Sequence, residues 1–181
     1  MRIAAACAVV ALSLVGACSS NSDSPPKAPV QASTAASYPA GQEGAEKVVE
    51  ELRTSADPGV LVKGLAPTGD DFRGLFEADF AAKAQAFYSA SSPEVGALAK
   101  PEQTEVKLWS ATSEDLKANS GDAGQFPGGY AKIAQYLKPG VTLYRWKYVK
   151  PGADSGMAYD GLVHTGSRWV WIPKPWRVLE G

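Results

Sequence analysis

Hydrophobic and polar positions change their period several times along the chain, and each change marks a different element. Residues 3–17 are almost unbroken apolar residues, and from Ser19 to about Ala40 large apolar residues nearly vanish. At Gly44 a helical period begins. Val48, Val49 and Leu52 share one side and Glu46, Lys47, Glu50 and Glu51 the other, which predicts a helix over 44–54. Asp57 before Pro58 reads as an N-cap, so Val60, Leu61 and Val62 form a short second helix that Gly64 ends. Thr68 with Asp71 is a variant capping box. Behind it Phe72, Leu75, Phe76, Phe80, Ala84 and Phe87 continue one stripe, predicting a single long helix to about Ser89, kinked near Gly74.

The period then falls to two. Thr104 to Ser110 alternates, with Val106 and Leu108 toward the core, and Thr112 with Asp115 predicts a capped helical turn. Residues 121–129 read as loop. Tyr130, Ile133, Ala134 and Leu137 return to helical spacing and stop at Lys138-Pro139-Gly140. Three strands follow, over 141–149, 157–165 and 168–172. Gly166-Ser167 suits a two-residue hairpin loop, which sets Thr165 against Arg168, His164 against Trp169, Val163 against Val170 and Leu162 against Trp171. Unbroken alternation then puts Asp160, Leu162, His164, Trp169 and Trp171 on one face, and Tyr159, Gly161, Val163, Val170 and Ile172 on the other. Tyr144, Trp146 and Tyr148 share one side of the preceding strand; Val141, Leu143, Arg145, Lys147 and Val149 share its opposite side.

This order is an α+β arrangement: N-terminal helices packed on a C-terminal antiparallel sheet, a three-stranded meander plus one earlier strand. With the closing run Gly166-Ser167-Arg168-Trp169 it resembles the cone-shaped NTF2-like fold, whose last strand often reads as a turn glycine followed by an Arg-Trp or Lys-Trp step. The resemblance implies a fold shared by isomerases, dehydratases, binding modules and inert adaptors, so function has to be sought in a site.

The N-terminal apolar stretch is shorter than the roughly 20 residues that a bilayer core requires, and Arg2 opens it as a signal sequence is opened. It closes in Leu14-Val15-Gly16-Ala17-Cys18, which resembles the lipobox of bacterial lipoproteins. That resemblance implies diacylglycerol attached to Cys18, cleavage just before it, and residues 1–17 as signal peptide. Ser19 rather than Asp at the next position implies the outer membrane in a diderm cell; in a monoderm the protein would sit outside the plasma membrane. Residues 18–41 then read as a disordered tether. Its Ser, Pro, Ala, Asn, Gln and Thr cannot bury enough surface to offset ordering entropy. A coil of about 22 residues spans roughly 25 Å on average and about 70 Å when pulled straight. Pro25-Pro26 and Pro29 fit a spacer. Residues 42–181 are the size of one domain.

Composition changes this picture by exclusion. Cys7 leaves with the signal and Cys18 carries lipid, so the domain has no thiol for a disulfide, a nucleophile or a metal. With 18 basic and 19 acidic residues, the near balance speaks against nucleic acid as a partner. No cofactor motif is found.

His164 is the only histidine, so any imidazole chemistry must pass through it. Asp160 on the same expected face invites a dyad, although four residues along a strand span about 13 Å. Trp169 opposite His164 favours a packed ring. Trp169, Trp171 and Trp176, with Tyr144, Trp146 and Tyr148, form either a platform for a sugar or apolar ligand or, as strand aromatics usually do, a core beneath helices. In Pro173-Lys174-Pro175-Trp176-Arg177 the prolines end the last strand, and the tail is expected to lay Trp176 across the open end of the domain with Arg177 over a ring. Asp70, Asp71 and Arg73 have the ordinary role of acids and their partner in a first helical turn, Glu102 and Glu105 read as solvated, and neither Ser155 nor Ser167 sits in a G-x-S-x-G turn.

The expectation is a membrane-anchored extracytoplasmic lipoprotein acting as a non-catalytic binding or interaction module, with an envelope protein or glycan as partner. Asp160, His164, Trp169, Trp171, Arg145 and Trp176 are the candidate ligand-binding residues. The alternatives are a small-molecule or glycan-binding cone lined by the first four of these, and an NTF2-like enzyme with Asp160 or His164 as base.

Overall fold

A computed structural model describes residues 37–90 and 97–180. The expected signal peptide, the expected lipidation site Cys18 and residues 18–36 of the expected tether lie outside the described residues.

Among the described residues, six helices and four strands follow the order that the hydrophobic periods imply. Helix α1 spans Gln42–Thr54 and buries Ala45, Val48, Val49 and Leu52; α2 spans Pro58–Gly64, its first turn capped by the Asp57 carboxylate accepting from the Val60 N–H. The expected long helix is two. Helix α3 spans Gly69–Leu75 and α4 spans Ala78–Ser89. The break lies at Phe76, whose backbone is extended and pairs with Leu137 in an isolated bridge, flanked by Glu77 N–H donating to Tyr136 O and Lys138 N–H to Leu75 O. Hydrogen bonding to a distant segment therefore replaces the helical ladder where the apolar stripe alone suggests continuity.

Strand β1 (Glu105–Thr112) leads into α5 (Ser113–Ala118) through a complete capping box between Thr112 and Asp115. A 3-10 turn over Gly121–Gln125 and α6 (Gly129–Ile133), which tightens into another 3-10 turn over Ala134–Tyr136, carry the chain back to β2 (Thr142–Val149), β3 (Gly156–His164) and β4 (Trp169–Trp171). The sheet is antiparallel throughout, in the order β1-β2-β3-β4. The last hairpin has the expected register, Thr165 N–H donating to Arg168 O, with Gly166 supplying the positive φ that its first loop position needs.

Helices cover both faces of this sheet. Against α1, α2 and the segment around Leu98 lie Tyr144, Trp146, Tyr148, Leu162 and Trp169; against α3 to α6 lie Ala111, Leu143, Val163, Val170 and Ile172. The first face is aromatic, the second mostly aliphatic on the sheet side with phenylalanines on the helices. Part of the tether as read from composition also folds here. Tyr38 packs on the aromatic face, and the Trp169 indole N–H donates to the Tyr38 and Pro39 carbonyls at 2.9 and 3.1 Å.

Candidate functional site

One residue redistributes the candidate chemistry. Gly161, at φ 88°, is an extra residue in β3: Tyr144 pairs with Leu162 but its neighbour Arg145 pairs with Asp160, a β-bulge. A bulge resets the inside-outside alternation, so the uniform alternation expected from the sequence fails at this point. Leu162 and His164 stay on the aromatic face, whereas Asp160 moves to the opposite face with Arg145 and Val163, and Tyr159 takes its place. A side chain is excluded at Gly161, because a Cβ there would stand 2.0 Å from the Ile172 carbonyl oxygen.

Asp160 is buried and bound. Its Oδ1 accepts from the Tyr130 hydroxyl at 2.8 Å and from the Lys174 backbone N–H at 3.0 Å. Burial, then the charge of Asp160, push the Tyr130 phenol well above its ordinary value, so it remains a donor. Nearby the Tyr88 hydroxyl donates to Pro173 O at 2.7 Å, and Trp176 meets the Tyr130 ring edge-on at 5.1 Å. These contacts hold the C-terminal stretch, which ends in a 3-10 turn over Pro175–Leu179 that buries Val178 against the helix-facing core. Lys174 holds a left-handed conformation, φ 53°, and Asp160 is the group that accepts its amide proton. Trp176 packs against this part of the core, but among the described residues the cations that stand over a ring are Arg145 and Lys147, both on Trp109 at 5.7 and 5.5 Å from its centroid, rather than Arg177.

On the aromatic face His164 is half-buried. Its Nδ1 accepts from the Gly166 N–H at 3.1 Å, its ring meets Trp169 edge-on, and burial lowers its pKa below 6.5. Trp169 is fully buried, and Trp171, half-buried, lies tilted against Trp146 and edge-on to Tyr159 while its indole donates to the Asp160 carbonyl oxygen at 2.8 Å. Tyr148 is buried as well, its hydroxyl donating to Val49 O at 2.6 Å. Among the described residues the Trp146 Nε1 is a buried donor without a hydrogen-bond partner. His164 and Asp160 thus have the sheet between them, and each accepts from a backbone amide that fixes a turn. A shared proton relay requires direct or water-bridged reach, which this placement denies. Trp169 and Trp171 line the helix-covered core, as strand aromatics beneath helices usually do.

The structure assembles a different cluster at the partly covered margin of the second face. Trp109 and Lys107 on β1 lie across from Arg145 and Lys147 on β2. The Arg145 guanidinium donates to the Gln125 carbonyl, and Lys107 pairs with the exposed Asp154 at 2.6 Å, holding that carboxylate below its ordinary value. All four side chains are half-buried. Of these, only Arg145 is among the residues expected to bind a ligand. The sequence does carry a signal for the rest, since Lys107 and Trp109 alternate with the core residues Val106 and Leu108 as Arg145 and Lys147 alternate with Tyr144, Trp146 and Tyr148.

The remaining acids have local roles. Asp71 caps α3 through the Thr68 backbone and hydroxyl, Arg73 pairs with Asp70, Glu105 accepts from the Gly152 N–H, and Glu102 faces Lys150. Among the described residues no group of His, Cys, Asp and Glu is placed to hold a metal ion, and no helix is long and apolar enough to cross a membrane. Comparison with protein-family models, with curated proteins and with solved structures finds no match for this chain.

Proposed function

We propose that the chain is a lipid-anchored extracytoplasmic interaction module of a bacterial envelope, held by acyl chains on Cys18 and working without catalysis of its own. The observation that carries the non-catalytic part is the separation of Asp160 from His164 by the sheet, each engaged with a backbone amide. The anchor rests on Leu14-Val15-Gly16-Ala17-Cys18 and on the polar stretch that follows it. In this reading the Trp109, Arg145, Lys147 and Lys107 cluster is the contact surface. It offers a half-buried ring and cationic donors at the margin of the second-face core, a chemistry suited to a glycan or to an acidic stretch of an envelope protein.

Two experiments test the reading. Cys18→Ser is expected to move the protein from the membrane fraction to the soluble fraction and to remove the diacylglycerol mass from the mature N-terminus; retention on membranes with an unmodified residue 18 would refute the anchor. Titration with envelope glycans is expected to change the tryptophan emission of the parent protein and not that of Trp109→Phe. An equal response in both would move the contact elsewhere.

A further inference from the structure

The two edges of the sheet are treated differently. On β4 the outward Trp171 N–H donates to Leu65 O at 2.8 Å, and the Arg168 guanidinium reaches Ala66 O at 2.6 Å, so the stretch after α2 closes that edge. On β1 the phase of the ladder follows from the Ser113 N–H donating to Val141 O, which continues the antiparallel pairing with β2 by one narrow pair. Counting back by twos, Ala111, Trp109, Lys107 and Glu105 exchange hydrogen bonds with β2, while Val106, Leu108, Ser110 and Thr112 turn their N–H and C=O outward. Thr112 N–H is occupied by the Asp115 carboxylate at 3.0 Å. Among the described residues no hydrogen bond reaches the outward groups of Val106, Leu108 or Ser110. Among the described residues the strand has no bulge, no proline and no segment hydrogen-bonded along this edge; its charged residues, Glu105 and Lys107, which could blunt it, are engaged with the Gly152 N–H and with Asp154.

We infer that this edge pairs with the same edge of a second copy of this chain, antiparallel, with the two-fold axis at Leu108. The free groups are symmetric about that residue. Pairing through it sets Leu108 against Leu108 of the second copy and Val106 against its Ser110, all as narrow pairs. On the opposite face the same register sets Lys107 across from Trp109 of the second copy, and the reverse, a cation facing a ring on both sides of the axis. Lys107 already carries the counter-charge of Asp154, so it adds no net charge beside the cations on that ring. Moving the axis to residue 107 would oppose two lysines, and moving it to residue 109 would set Val106 against the occupied Thr112. The side chains therefore select one register, and the product is a continuous sheet across two copies. Pairing of this kind does not depend on the lipid anchor.

Cysteine cross-linking in membranes of cells expressing the full chain tests both the contact and its register. Leu108→Cys stands opposite itself at about 5.5 Å between Cα atoms, within disulfide reach. Ser110→Cys stands about 13 Å from its own copy. With the parent chain alongside to account for Cys7 and Cys18, mild oxidation is expected to give about tenfold more covalent dimer for Leu108→Cys than for Ser110→Cys, and a heterodimer when Val106→Cys and Ser110→Cys are co-expressed. Adding Ser110→Pro to Leu108→Cys removes only an outward N–H and leaves the bonds to β2, so the dimer is expected to disappear while protease resistance is kept. Equal cross-linking of Leu108→Cys and Ser110→Cys, or a Leu108→Cys chain that stays monomeric, overturns the inference.

Discussion

Both faces of one sheet are buried and use that burial differently. The face under α1 and α2 is a stack of rings, Trp146, Tyr148, Trp169, Trp171 and Tyr159, closed by indole and phenol donors that reach backbone carbonyls. The face under α3 to α6 packs aliphatic strand residues against phenylalanines. It contains the buried carboxylates of Asp160 and Asp71, and its far end around Trp109 is only partly covered. What separates them is a single glycine. Gly161 exchanges the places of Tyr159 and Asp160, so a residue that strict alternation would set on the same face as His164 instead fastens the C-terminal stretch on the other side.

The largest expected effect breaks the aromatic face. Trp146→Ala removes a fully buried indole at the centre of the stack and is expected to cost about 3–5 kcal/mol, read as a fall in the thermal midpoint of roughly 10 °C or more. Gly161→Ala attacks the switch between the faces. A Cβ at positive φ and against the Ile172 carbonyl is expected to cost about 2–4 kcal/mol by denaturant titration, and the bulge must shift to relieve it.

Asp160→Ala leaves the Tyr130 hydroxyl and the Lys174 amide unpaired, a loss of about 1–3 kcal/mol, and should expose the chain after Ile172 to carboxypeptidase digestion. Asp160→Asn keeps an acceptor at Oδ1 and is expected to lose less than half as much. An equal loss in both would assign the role to charge rather than to hydrogen bonding.

The smallest effect belongs to His164. Its folded pKa lies below its unfolded value of 6.5, because burial disfavours the imidazolium. Stability is therefore complete above about pH 6.5 and declines as pH falls below it, since the unfolded chain takes up the proton more readily. A parent chain whose thermal midpoint drops between pH 7 and 5.5 more than that of His164→Gln is the expected result; parallel curves would contradict it.

Much of this fold is legible in the sequence because its signals are local. The capping residues Thr68, Asp57 and Thr112, the Gly166-Ser167 loop and the period-two strands each determine their own element. The features that escape are those set by distant partners. Phe76 leaves the helix for Leu137, and Tyr130, thirty residues from Asp160, supplies the phenol that binds its carboxylate. An isolated glycine within a strand pattern is a recognised mark of a bulge, and a bulge at Gly161 is what carries Asp160 to its observed face, so this feature is local and legible in principle. The candidate residues are half legible in the same sense: His164 against Trp169 follows from the turn, whereas the grouping of Trp109 with Arg145 and Lys147 needs the pairing of β1 with β2 across two intervening helices.

The division of the two faces is tested most directly by a pair of double-mutant cycles measured by denaturant unfolding. Asp160→Ala with Tyr130→Phe should show a coupling of about 1 kcal/mol or more, because the two side chains share a hydrogen bond. Asp160→Ala with His164→Ala should add to within about 0.5 kcal/mol, because the sheet stands between them. Coupling above about 1 kcal/mol between Asp160 and His164 would place them together and contradict the account.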